Sequence, residues 1–197
     1  DELSNVKSIN KKLFAKQNDL NPQKEIIALL PGSRKQEVSR MMEVMLKVVK
    51  IFPDYQFVIG CAPSLPEEYY RELVGDEDVH MVFNKTYQLL QVASAAVVTS
   101  GTATLETALF YVPEVVCYKG NPISYFIAKK LIKVKYISLV NLIMNKAVVK
   151  ELIQNDLTAE NISVELRQIL SDTKRQRALL EDYEELRFLM GNAGASD

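Results

Sequence analysis

Tryptophan is absent from this 197-residue sequence, histidine occurs once and cysteine twice. Two thiols are too few for a disulfide framework, and with His80 as the sole imidazole no set of zinc ligands can be assembled. Cys61 and Cys117 each lie beside or inside a strand-like run. That is the pattern of buried thiols in a reducing compartment, so a cytoplasmic setting is expected. His80 sits in Val79-His80-Met81-Val82-Phe83 with no serine or cysteine motif to pair with, so it is read as structural. Apolar runs near the roughly 18 residues of a transmembrane helix are missing, and no signal-peptide pattern is seen. A basic surplus is lacking too: 24 Lys and Arg against 25 Asp and Glu leave a net charge of -1, which argues against a general nucleic-acid binder. Neither G-x-G-x-x-G nor G-x-x-x-x-G-K-[ST] occurs, which excludes the dinucleotide fingerprint and the P-loop.

The stretch around which the chain is organised runs from Ala95 to Ala108. Ala95-Ala96-Val97-Val98-Thr99 is a short apolar strand that turns through Ser100-Gly101-Thr102 into a helix. The first N–H groups of a helix have no internal partner and its dipole adds positive potential, so a phosphate beside Gly101 and Thr102 needs no lysine. Glu106 follows four residues beyond Thr102, roughly 6 Å along the axis, where a carboxylate can accept hydrogen bonds from a sugar diol. Together they suggest a sugar-nucleotide pocket. The same residues also suit an ordinary strand-to-helix turn with a solvated acid, and the motif alone leaves both readings open.

A second strand, loop and helix precedes it. Residues 25–30 form an apolar strand closed by Pro31-Gly32-Ser33-Arg34, and residues 37–52 carry Val38, Met41, Met42, Met45 and Val49 at helical spacing. Ser33 and Gln36 have the spacing of a capping box. Arg34 then stands in the first turn, either solvated or meeting phosphate oxygens. Further strands are expected at 55–60, 79–83, 114–118 and 136–138, with helices at 4–16, 66–74, 86–93, 102–110, 122–132, 148–154, 159–170 and onward to about 188. This alternation predicts an α/β fold, a Rossmann-like doubly wound parallel sheet of about six strands whose ligands lie at the carboxyl ends. Residues 1–24 read as a helical lead-in, 25–190 as the nucleotide-binding domain and 191–197 as a truncated tail. With no initiating methionine and a loop-like end, the sequence reads as a piece of a longer protein.

Charge is sorted along the chain: residues 115–150 hold seven lysines and no acid, whereas 151–197 hold ten acids against five basic residues. On a helix opened by Pro122, the mixture of Lys129, Lys130 and Lys133 with Tyr125 and Ile132 suits an anionic membrane surface or a merely solvated face. Peripheral contact with a membrane through residues 122–136 is carried as an expectation.

Five motifs occur in order at compatible spacing: Leu30-Pro31-Gly32-Ser33-Arg34; Ser100-Gly101-Thr102-Ala103-x-Leu105-Glu106; Lys119 to Pro122; Tyr136-Ile137-Ser138-Leu139-Val140-Asn141-Leu142; and Glu151-Leu152-Ile153-Gln154. In this the chain resembles the carboxyl-terminal half of the lipid-A-disaccharide synthases over residues 25–194. The resemblance implies one half of a two-domain GT-B glycosyltransferase, inverting and free of metal and cofactor. Such an enzyme transfers 2,3-diacylglucosamine from UDP-2,3-diacylglucosamine to 2,3-diacylglucosamine 1-phosphate and releases UDP. By position, Gly32, Ser33 and Arg34 would face the diphosphate and the reacting sugar, with Arg34 stabilising the leaving group. Ser100, Gly101 and Thr102 would hold phosphate and Glu106 the ribose; Asn141 matches a polar position of the donor pocket or caps a loop. The general base would belong to the other half. Other UDP-N-acetylglucosamine enzymes of this fold, a glycosyltransferase or a 2-epimerase, and a non-catalytic nucleotide-binding module are the alternatives.

Overall fold

The computed structural model describes residues 10–120 and 135–193, and elements are numbered in chain order over these. Six strands, β1 (Glu25–Leu30), β2 (Tyr55–Cys61), β3 (His80–Phe83), β4 (Ala95–Thr99), β5 (Glu114–Tyr118) and β6 (Lys150–Ile153), form one sheet in the order β3-β2-β1-β4-β5-β6. Every neighbouring pair is parallel. The helices are α1 (Lys11–Gln17), α2 (Lys35–Val49), α3 (Glu67–Val74), α4 (Thr86–Val92), α5 (Thr102–Leu109), α6 (Leu139–Met144), α7 (Ala159–Ser171) and α8 (Thr173–Ala193). The doubly wound parallel sheet read from the alternation of elements is therefore the fold observed.

The central strands are apolar throughout because both faces of the sheet are covered. Ile27, Leu29, Ala95 and Val97 point into one core with Val38, Met41, Met42, Met45 and Val48 of α2 and Ile162, Leu166 and Ile169 of α7. Their neighbours Ile26, Ala28, Leu30, Ala96 and Val98 point the other way, onto Leu89, Leu90 and Val92 of α4. Phe14 and Ala15 of α1 are buried in that second core, so packing begins before Glu25. No described helix is long and apolar enough to cross a membrane. The expected helix at 122–132, and with it Tyr125, Lys129, Lys130, Ile132 and Lys133, lies outside the described residues, as does the start of the expected helix at 4–16.

Three expectations are corrected. The sixth strand is not 136–138 but Lys150–Ile153, within a run read as helical. Ladder bonds to β5 decide between the two, for Val115 to Tyr118 pair in register with Lys150 to Ile153. The N–H groups of Ile137 and Ser138 instead donate to the Glu151 carboxylate, at 3.1 and 2.9 Å. The capping box of Ser33 and Gln36 does not form: α2 starts at Lys35, its cap Arg34 makes no side-chain cap bond, and the Ser33 N–H donates to Glu37 Oε2 at 3.2 Å.

Candidate nucleotide site

All six strands point the same way, so every strand-to-helix turn arrives at one edge of the sheet. The winding reverses between β1 and β4, and the turns after these neighbours diverge to leave a crevice. A cavity of about 680 Å³ lies there. Gly32, Ser33 and Glu37 line it from the β1–α2 turn, Gly60, Ala62 and Pro63 from the end of β2, residues 84–88 from the β3–α4 turn, and residues 99–103 with Glu106 from β4 and α5.

The two turns singled out in the sequence differ in what fills them. Gly32 adopts a φ of 102°, and a Cβ there would lie 2.1 Å from Glu37 Oε2. The carboxylate of Glu37 therefore packs under the glycine while it takes the Ser33 N–H, which puts an internal anion at the start of α2. At α5 the cap residue is Gly101, no side chain caps the helix, and no acid stands in the first turn. The N–H groups of Thr102 and Ala103 thus have no partner within the helix. A Cβ on Gly101 would meet nothing within 4 Å, so the space beside this turn is open.

Of the residues proposed from sequence, Gly32, Ser33, Ser100, Gly101, Thr102 and Glu106 line the one cavity. Ser100 enters it with both donors committed: its N–H bonds Cys117 O at 2.8 Å and its hydroxyl donates to Ile137 O at 3.1 Å. Arg34 is exposed and is not a lining residue, and its guanidinium makes no ion pair among the described residues. Asn141 stands apart. It is 1% exposed and its amide is fully used, with Nδ2 donating to Val149 O and Glu151 Oε1 and Oδ1 accepting from Val149 N, each at 2.9 Å. The geometry makes Asn141 a brace between α6 and the start of β6, outside the cavity lining. Glu151 completes that brace by also accepting the Ser138 hydroxyl at 2.8 Å.

Sequence reasoning missed the wall at 84–88. Asn84 has a φ of 55°, and Lys85, the cation among the lining residues, donates to Asn18 Oδ1 at 2.8 Å. The available signal was topological: this loop too follows the carboxyl end of a strand.

The groups whose pKa is shifted are not among the residues lining the cavity. Burial pushes the Cys61 thiol up to about 12 and raises Cys117 further, which leaves both unreactive. At the amino end of β5, Glu114 is 1% exposed with both carboxylate oxygens unpartnered, and desolvation holds its pKa well above the usual carboxylate range. No group of acids, histidines and cysteines able to hold a metal is found among the described residues.

Comparison with known proteins extends these observations. A family profile described as lipid-A-disaccharide synthetase matches residues 3–194. The lipid-A-disaccharide synthase of Syntrophus aciditrophicus is 41% identical over 178 residues, covering 87% of this chain and 46% of that protein. That of Coxiella burnetii (strain Dugway 5J108-111) is 35% identical over 184 residues, covering 91% and 49%. The chain thus spans about half the length of the curated relatives it matches. Among solved structures, the calicheamicin glycosyltransferase CalG4 superposes with a TM-score of 0.59 at 15% identity, over 90% of this chain and 41% of that one. WaaG, a glycosyltransferase involved in lipopolysaccharide biosynthesis, gives 0.53 at 15% identity over 93% and 48%. These likenesses show the fold, a Rossmann-like unit of the kind that makes up about half of each of those GT-B proteins. With the profile running along nearly its whole length, the chain belongs to the lipid-A-disaccharide synthase family.

Proposed function

We propose that this chain is the donor-binding half of a lipid-A-disaccharide synthase, holding the UDP portion of UDP-2,3-diacylglucosamine. The observation that carries the reading is the unfilled start of α5 with Glu106 one turn further along the same cavity wall. The diphosphate lies against the N–H groups of Thr102 and Ala103, where Gly101 leaves room for it, and the ribose hydroxyls donate to Glu106. Gly32 and Ser33 bound the glycosyl side. Arg34, at the rim, meets the charge that develops on the departing UDP, which is electrostatic stabilisation aimed at the atom that becomes negative. The acceptor, 2,3-diacylglucosamine 1-phosphate, and the base that deprotonates its hydroxyl are assigned to the other half. Lys129, Lys130 and Lys133 are assigned to the anionic membrane surface, to be tested by binding to phosphatidylglycerol vesicles at low and high salt.

The nucleotide reading is tested by calorimetric titration of the 197-residue chain with UDP and with pyrophosphate. Glu106→Gln is expected to weaken UDP by about 1.5 to 3 kcal/mol, the range of a hydrogen bond to a charged group, and to leave pyrophosphate unchanged. Arg34→Ala weakens both ligands. Equal losses for the two ligands in the Glu106 variant remove the ribose assignment.

A further inference from the structure

Hydroxyl groups cluster around the start of α5, and most are already committed. Ser100 Oγ donates to Ile137 O, Thr104 Oγ1 to Gly101 O at 2.8 Å and Thr107 Oγ1 to Ala103 O at 2.7 Å. Thr99 differs from all three. It closes β4 at the edge where the cavity lies, it is one of the lining residues, it is 4% exposed, and its hydroxyl has no hydrogen-bond partner. A buried hydroxyl without a partner is unfavourable in the free protein, and the imbalance disappears when an acceptor arrives.

The surroundings say which acceptor that is. Beside Thr99 are the start of α5, which has no side-chain cap and no acid in its first turn and so favours an anion, and the open volume at Gly101, which admits one. The lining cation Lys85 is held by Asn18, so neutral donors carry the load at this helix start. An ionised phosphoryl oxygen has lone pairs and no proton, and Ser100 has no proton left to offer it. We propose that the Thr99 hydroxyl donates a hydrogen bond to a phosphoryl oxygen of the nucleoside diphosphate bound at the start of α5. Thr99 lines the cavity with its hydroxyl shielded from solvent, and a turn of χ1 between staggered positions is the motion open to it on binding. The inference rests on the nucleotide reading given above and adds to it a binding residue one position before the Ser-Gly-Thr turn.

The test uses Thr99→Val, which keeps the shape and removes the hydroxyl, and Thr99→Ser, which keeps the hydroxyl. UDP and pyrophosphate are titrated calorimetrically into the 197-residue chain and both variants, and the ligand-free melting temperature of each is measured. The valine variant is expected to bind both ligands about tenfold more weakly, with a ligand-free melting temperature no lower than that of the parent, because it loses an unpartnered hydroxyl. The serine variant is expected within threefold of the parent for both ligands. Parent-like pyrophosphate affinity in Thr99→Val overturns the proposal and leaves the nucleotide site standing. So does a serine variant as weak as the valine one, and so does a valine variant that melts well below the parent, since the hydroxyl then serves the fold. If the parent chain takes up neither ligand, the nucleotide reading and this inference fall together.

Discussion

The turns after β1 and β4 are built on one plan, a buried strand released through a glycine into a helix, and they end in opposite states. At the first, Gly32 is locked by its left-handed φ and by the carboxylate of Glu37 beneath it, so the start of α2 already holds an anion. At the second, Gly101 has an extended φ of 162°, open space where a side chain would be, and no acid within the first turn. An acid at the third position of a helix is what separates a closed helix start from an open one. Both turns look anion-ready in sequence; among the described residues an acid fills only the first.

The largest effect expected from breaking this contrast is at the glycines. Gly32→Ala should lower stability by about 3 kcal/mol, through a strained backbone and the displacement of Glu37. Gly101→Ala should leave the urea midpoint unchanged while weakening UDP, because its methyl fills the ligand's space. Equal destabilisation by both variants would erase the distinction. Next comes an attempt to convert the open turn into the closed one. Ala103→Asp places an acid in the first turn of α5 and should cost at least about tenfold in UDP affinity, or about 1.4 kcal/mol, with a slight gain in melting temperature. Unchanged UDP affinity in that variant would move the diphosphate away from α5.

These outcomes depend on features that the sequence displays unequally. Strands β1 to β5 are legible because Ile26 to Leu30 and Ala95 to Val98 are apolar runs bounded by turn residues, as parallel strands buried on both faces must be. β6 is not, for Val148, Val149, Leu152 and Ile153 also have helical spacing, and a four-residue edge strand is chosen by its partner rather than by propensity. Within the site, Gly32, Ser33 and the stretch from Ser100 to Glu106 were legible through glycine and the helix start. Glu37 as an internal anion was not, since Ser33 and Gln36 offered a better-known cap. The commitment of Ser100 to Cys117 and Ile137 is a long-range fact that local sequence does not carry.

A smaller effect is expected at the far end of the sheet and sharpens the contrast by affecting stability alone. Because burial raises the pKa of Glu114 in the folded chain, its carboxyl favours folding below the usual carboxylate range and loses that contribution as pH rises towards the folded value. Glu114→Gln should therefore gain about 1 kcal/mol over the parent at pH 8, less at pH 4, with UDP affinity untouched. A parent whose urea midpoint does not fall with rising pH would contradict this. The smallest change is Glu37→Ala, which should lose about 0.5 to 1 kcal/mol of stability, most clearly at low ionic strength, as the start of α2 loses its anion. No loss there would mean that Glu37 merely fills space.

The cavity spans the pairing of β1 with β4, in which Ile27 lies opposite Ala95, and these strands meet only after the whole of β2, β3 and their helices has been looped out. Loop-closure entropy and contact order make such a pairing a late step in the assembly of the sheet. The crevice therefore comes into being with the least local strand pairing of the sheet. A diphosphate nucleotide that bridges the two turns would act as a brake on their separation and prolong the lifetime of the native sheet.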